Sequence, residues 1–357
     1  MDTVKRLAAV REQIDQIDNQ LQELINQRAN LAVEVGKIKH AEKETVFYRP
    51  EREAQILQRI VERNHGPLSA EQVTLIFRNI LTACLNLQHP ISIATLGPEG
   101  TFSQAAALKH FGIEVPLKLT TTIDEIFRVV EAKNADYGVV PIENSTTGVI
   151  NPVLDALRLS LLTICGEIIL PIHHHLLVSN TTQEIQRIYA HEQAFMQCQN
   201  WISRNLPDIP CVKVESNGEA AKRAKQEPEA AAIAGDLAVR EYGLKILEEN
   251  IEDNPQNQTR FLILGKQKVA PSGKDKTSLL ISTPHTPGAL IDLLQPFAEN
   301  NVNILLIESR PSHDCNWAYF FFIDIEGHTE DVAVAKALKE LNNKFVMLHI
   351  LGSYPKA

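Results

Sequence analysis

Residues 7–38 read LAAVREQIDQIDNQLQELINQRANLAVEVGKI, in which Leu7, Val10, Ile14, Ile17, Leu21, Leu24, Leu31, Val35 and Ile38 recur in alternating steps of three and four, with Arg28 filling the one apolar place that is missing. That is the period of a helical seam of coiled-coil type, so the chain opens with one long helix. At about 1.5 Å per residue it is on the order of 50 Å long. Two shorter helices follow, one from Pro50, a favoured first-turn residue, and one from Ser69, whose spacing to Gln72 fits a capping box. His89-Pro90 ends the helical segment. Two short helices cannot cover the seam, so a partner chain is expected.

From Ile91 the texture changes to short apolar strands alternating with amphipathic helices: ISIATL, FSQAAALKHF, a strand ending in VVPIEN, then IQRIYAH, AFMQCQNWI, CVKVES and AAIAGD. This is an α/β pattern in two similar halves, with TRFLILG as a return crossing, and it predicts two lobes around a ligand cleft. Polar VAPSGKDKT, residues 269–277, reads as a linker. After it the order is strand, helix, strand, strand, helix, strand, a βαββαβ ferredoxin-like topology that is silent on function. Three domains are expected, at 1–90, 91–268 and 278–357.

The 357 residues are 44% hydrophobic and 22% charged, with a formal net charge of −9. That sign argues against nucleic acid or anionic membrane as partner. The five cysteines form no CxxC pair, so structural zinc and disulfides are not expected. The N-terminus is charged, and no run approaches the roughly 20 apolar residues of a membrane span, which makes the cytoplasm the expected compartment.

A buried guanidinium at position 28 of the seam is costly unless an anion meets it. Lys39, eleven residues on, lies about 20° around the helix and leans toward the same pocket. Arg11 is seventeen residues before Arg28, about 25 Å away along the axis, so it can share that pocket only from the partner of an antiparallel dimer. Glu53 lies on the face of Leu57 and Ile60 with Arg52 beside it, and Gln88 continues the face of Phe77, Leu81 and Cys84. On the pattern alone these charges fit interhelical ion pairs as well as an anion site.

The stretches REQIDQIDNQLQELINQRANLAVEVGKIK and YRPEREAQIL strongly resemble the all-helical chorismate mutases. The resemblance implies that Arg11, Arg28, Lys39, Arg52, Glu53 and Gln88 line the site, with Arg11 crossing the dimer. Chorismate is a dianion whose rearrangement to prephenate needs neither cofactor nor proton transfer. Arginines would clamp its carboxylates, Lys39 and Gln88 would donate to the ether oxygen, and Glu53 would accept the hydroxyl. Arg49 stands where some members have aspartate, and Cys84 where some have serine.

In the two-lobed segment Thr101 with Gln104, Thr122 with Glu125, and Ser216 with Glu219 have capping-box spacing, which is mainly structural. LGPEGTFSQ is a candidate carboxylate-binding helix start, but GPEGTFS is not a dinucleotide fingerprint, and no Walker lysine follows a glycine-rich loop. His173, His174 and His175 lack an acidic cluster and read as structural. The set GPEGTFS, VVPIENSTTG, HEQAFMQC and NQTRFLILG, in this order, resembles prephenate dehydratase. That resemblance places Glu143, Asn144, Gln197 and Thr259 in the lobe cleft, with Thr259 assisting departure of the 4-hydroxyl; no metal or other cofactor is implied. Ala190 replaces a serine that some relatives carry.

TPGALIDLL, residues 286–294, and IESRP, residues 307–311, resemble the two motifs of phenylalanine-binding ACT domains. The implied effector pocket lies between paired domains and uses Gly288, Ala289, Leu290, Glu308, Ser309 and Arg310. Two rival readings remain: an amino-acid-binding regulatory protein, and a mutase joined to a prephenate dehydrogenase. The charged seam counts against the first, and the missing dinucleotide fingerprint against the second.

Overall fold

The computed structural model describes residues 2–44, 46–182, 184–283, 286–311, 319–344 and 347–357. It forms two compact units, one of residues 1–49 and 55–91, the other of residues 50–54 and 92–357.

In the first unit the seam is one 40-residue helix, α1 (Asp2–Ala41), about 60 Å long. Helices α2 (Pro50–Arg63), whose residues 50–54 fall in the second unit, and α3 (Ala70–Gln88) follow. Pro50 starts α2, and Ser69 caps α3 reciprocally with Gln72. Every apolar seam residue from Leu7 to Ile38 named above is at least 43% exposed within the single chain. The C-terminal part of α1 packs on α3, where Gly36 permits backbone contact: a Cβ there would lie 3.0 Å from Gln88 Cα. Gly36→Val should therefore push α3 outward and cost about 1–3 kcal/mol, the range for overpacking, measurable as a lowered denaturation midpoint of the helical transition.

The second unit holds three sheets. The first has the order Leu117–Thr120, Ile93–Leu96, Tyr137–Asn144, Gln258–Gly265, Thr163–Pro171, with Gly148–Val149 paired to Tyr137–Asn144. The second has the order Lys245–Glu248, His175–Val178, Ala230–Ala234, Arg187–His191, Cys211–Val214. In each, three parallel strands repeat one winding, with the first strand in the middle. The predicted halves are thus two lobes of like construction, and strand Gln258–Gly265 returns from the second sheet's part of the chain into the first sheet. Thr101, Thr122 and Ser216 each accept the backbone N–H three residues on, as their spacing predicts.

The third sheet has the order Ile304–Pro311, Tyr319–Glu326, Asp275–Thr283, Met347–Pro355, with helices Ala289–Glu299 and Val332–Lys344, the predicted βαββαβ. One face covers its own helices through Leu279, Ile281, Phe297 and Leu341. The other shares a core with the first lobe, where Leu280, Phe322 and Leu351 meet Ile164, Leu262 and Leu264. Gly352 allows the closest approach: a Cβ there would stand 2.2 Å from the Ile164 carbonyl oxygen. The expected linker over 269–277 differs accordingly. Asp275, Lys276 and Thr277 are buried in strand, because Asp275 ties down the Ser272-Gly273 turn and Lys276 reaches Glu167.

Candidate active sites

Strand Gln258–Gly265 pairs Thr259 with Asn144 and Arg260 with Glu143. Side chains alternate along a strand, so the two pairs face opposite ways. On one face the two N–H groups of Asn144 Nδ2 are shared among three acceptors, Thr259 Oγ1 at 2.9 Å, Asn257 Oδ1 at 2.9 Å and the Gln258 carbonyl at 3.2 Å. Asn144 Oδ1 accepts from the backbone of Thr146 and Thr147. Gln197, at the end of helix Glu192–Gln197 in the second lobe, reaches across with Nε2 at 3.3 Å from Asn144 Oδ1. Gln193 from the same helix donates to Thr147 Oγ1 at 2.7 Å. Asn144, Gln197 and Thr259 are all buried. The structure brings these three sequence-predicted residues into one polar cluster at the junction of the lobes.

Glu143 is not in that cluster. It turns to the opposite face, 3.7 Å from Arg260, in an ion-pair network. Arg260 also lies 2.7 Å from Glu167 and 2.6 Å from Asp324, and it donates to the Tyr354 hydroxyl at 3.0 Å; Lys276 completes the group at 2.7 Å from Glu167. Burial alone raises the Glu167 carboxyl, but Arg260 and Lys276 outweigh it and hold it below the usual carboxylate range. Glu167 thus binds a proton less readily folded than unfolded. Its contribution is complete above the unfolded pKa of about 4.3 and is lost as pH falls through the lower folded value. Thermal denaturation should show a steady Tm above about pH 5 and a fall below about pH 4. In Glu167→Gln the Tm at pH 7 should be lower and the acid dependence weaker.

The three adjacent histidines serve different partners. His173 Nδ1 meets Glu252 at 2.7 Å, His175 Nδ1 accepts from the Asn250 backbone at 3.1 Å, and His174 Nε2 meets Gln197 Oε1 at 2.8 Å. No group of three His, Cys, Asp or Glu among the described residues can hold a metal ion.

In the helical unit Arg28 and Lys39 are half-buried on α1, and Arg11 is exposed. Lys39 Nζ lies 3.3 Å from the Phe47 carbonyl oxygen and 5.5 Å from the Phe47 ring centre, in the turn that leaves α1. Gln88 ends α3, and its carbonyl faces His40 Nε2 at 3.2 Å. Arg52 and Glu53 occupy the first turn of α2, in the stretch 50–54 that belongs to the second unit. Of the two departures from the mutase pattern, Arg49 pairs with Glu44, and Cys84 is buried.

In the C-terminal sheet Gly288 is the N-cap of helix Ala289–Glu299, with φ +86°. Ala289 is buried there and Leu290 is exposed. Glu308, Ser309 and Arg310 lie on the edge strand opposite Phe322, Phe321 and Phe320, and Arg310 is drawn to Asp155 of the first lobe at 2.8 Å.

Residues 10–89 match the family chorismate mutase type II, residues 93–269 prephenate dehydratase, and residues 277–343 the ACT domain. The bifunctional chorismate mutase/prephenate dehydratase of Stutzerimonas stutzeri is 49% identical over 100% of both chains. The chain belongs to the bifunctional chorismate mutase/prephenate dehydratase family. The Pseudomonas aeruginosa protein of the same name is also 49% identical, over 99% of this chain and 98% of its own. Among solved structures, prephenate dehydratase from Arthrobacter aurescens in complex with L-Phe is similar, with 35% identity and a TM-score of 0.71 over 75% of this chain and 90% of that one.

For a chorismate mutase/prephenate dehydratase, the sequence reading missed two polar residues at the lobe junction. Asn257 is buried; its Oδ1 accepts from Asn144, while its Nδ2 meets no partner among the described residues. His174, read as structural, is buried against the Phe102 ring edge and bonded to Gln197. The NQTRF stretch contained Asn257, but nothing in the run of histidines singled out the middle one.

Proposed function

We propose that the chain rearranges chorismate to prephenate in its helical part and converts prephenate to phenylpyruvate in its two-lobed part, with L-phenylalanine as effector of the C-terminal part. The parts are residues 1–90, 91–268 and 278–357. The observation that carries the dehydratase reading is the buried cluster of Thr259, Asn144 and Gln197, which offers hydrogen-bond donors and no carboxylate. Prephenate needs little else. Its ring C–CO2⁻ electron pair becomes a ring π bond, CO2 leaves, and hydroxide departs with the C–O pair, so a donor at that oxygen assists the step. Thr259 is that donor, and Asn257, whose Nδ2 has no partner among the described residues, is placed to hold a substrate carboxylate.

In the mutase part Arg11, Arg28 and Arg52 bind the chorismate carboxylates, Lys39 and Gln88 donate to the ether oxygen, and Glu53 accepts the hydroxyl. The exposed apolar seam of α1 supports an antiparallel homodimer that brings the partner's Arg11 to Arg28. Gly288, Ala289, Leu290, Glu308, Ser309 and Arg310 form the effector site between paired domains. No described helix is long and apolar enough to cross a membrane, and we assign the work to the cytoplasm. Purified protein given chorismate without nucleotide or added metal should form prephenate and then phenylpyruvate, and L-phenylalanine should suppress the second step and bind in calorimetry. Absence of phenylpyruvate from supplied prephenate would overturn the reading.

A further inference from the structure

We propose that His174 is a positioning residue for dehydration: it holds the Gln197 amide in the one orientation that fits a hydrogen-bond chain ending on Thr259, whose hydroxyl proton is left free for the departing oxygen. The proposal rests on the reading of Thr259 given above.

The direction follows from groups that have no choice. Asn144 Oδ1 accepts from the backbone N–H groups of Thr146 at 3.0 Å and Thr147 at 3.1 Å, which can only donate. Asn144 Nδ2 faces the Gln258 carbonyl at 3.2 Å, which can only accept. The Asn144 amide therefore has one orientation, and it donates to Thr259 Oγ1 at 2.9 Å. The Gln197 atom 3.3 Å from Asn144 Oδ1 must then be the nitrogen, which turns Gln197 Oε1 toward His174 Nε2 at 2.8 Å. A carbonyl oxygen there requires Nε2 to carry the ring proton. In neutral His174 this leaves Nδ1 bare, and Nδ1 is buried with no hydrogen-bond partner among the described residues.

The order of donation is thus His174 to Gln197 to Asn144 to Thr259. Thr259 Oγ1 accepts a hydrogen bond from Asn144, and its own hydroxyl proton finds no acceptor among the described residues. A substrate oxygen beside it is the natural acceptor. Burial, the largest influence on His174, lowers its pKa and keeps the ring neutral near pH 7, and Phe102 packs on it edge-on at 5.4 Å. Without the His174 donor, the Gln197 carbonyl is buried and unpaired, and any rotation that relieves it sets two oxygens against each other at Asn144. The backbone clamps on Asn144 prevent it from following.

The test uses the full chain and prephenate as substrate. His174→Phe keeps a ring and removes the donor, so kcat should fall about 10- to 100-fold, as when an orienting partner of a reactive group is removed, while KM changes little. His174→Gln, which restores an N–H at the same reach, should recover most of kcat. In the unaltered protein ¹⁵N NMR should find the His174 proton on Nε2. Wild-type kcat in His174→Phe, with Thr259→Val inactive, would overturn the chain and leave the Thr259 reading standing. Wild-type turnover in Thr259→Val would overturn both. A proton on Nδ1 in the unaltered enzyme would overturn the chain whether or not the variants fold.

Discussion

Thr259→Val should lower kcat for prephenate dehydration by about 10²- to 10⁴-fold, the usual worth of a positioned proton donor, and leave prephenate binding nearly unchanged. Valine matches threonine in shape, so the strand has no packing reason to move. Asn144 Nδ2 loses one acceptor but keeps Asn257 Oδ1 and the Gln258 carbonyl, so its orientation survives. On the proposed role, the missing group would act when charge grows on the leaving oxygen, which would place the loss in kcat rather than KM. Single-turnover kinetics with equilibrium binding separates the two. Unchanged turnover would confine Thr259 to a structural part. Glu143→Gln should behave differently, with its main effect on stability, because Glu143 faces Arg260 and not the cluster.

On the proposed role of Arg28 in clamping a substrate carboxylate, Arg28→Ala should lower mutase turnover by about 10²- to 10³-fold, and supplied prephenate should still be dehydrated. Arg11→Ala should look alike in isolation. The distinguishing result comes from mixing the two variants in equal amounts. In an antiparallel dimer each site takes Arg28 from one chain and Arg11 from the other. A mixed dimer therefore has one intact site and one doubly defective site, and about a quarter of all sites should return if chains exchange freely. The continuous α1 and its exposed apolar seam motivate this arithmetic. Full exchange, verified by mass spectrometry, with no recovered activity would rule out a shared site.

Local periodicity made much of the fold legible. The seam of α1, the capping of α3 by Ser69, and the three caps at Thr101, Thr122 and Ser216 are written within four residues of where they act. Thr259, Asn144 and Gln197 were legible through family resemblance, and strand register then drew the three together. Facing was harder. Glu143 adjoins Asn144 in sequence, yet a period of two sends neighbours to opposite sides of a sheet, and only the pairing of Arg260 with Glu143 shows which side is which. The burial of residues 275–277 was hidden for a related reason. Ser-Gly-Lys-Asp-Lys looks like solvated linker until Glu167, over a hundred positions away, supplies the charge that lets Lys276 go inside. His174 belongs to the same class, because its partner Gln197 lies 23 positions on, at the end of a helix whose packing the run of histidines does not reveal.

The approach of Gly352 to Ile164 and the charges gathered around Arg260 bear on how freely such parts can be traded between genes. A βαββαβ unit joined by a short polar stretch resembles a cassette that can be cut out and fused elsewhere. Here excision near Lys268 would strip Asp324 and Tyr354 from Arg260 and Lys276 from Glu167, leaving Arg260 and Glu167 to each other in a network that has lost half its partners. It would also bare Leu262, Leu264 and Ile164 to water. The transplanted piece would carry the reciprocal wounds, an unmatched Asp324 and an apolar sheet face. Moving the C-terminal part intact would therefore mean carrying the strands Thr163–Pro171 and Gln258–Gly265 with it, since these supply the other half of its packed face.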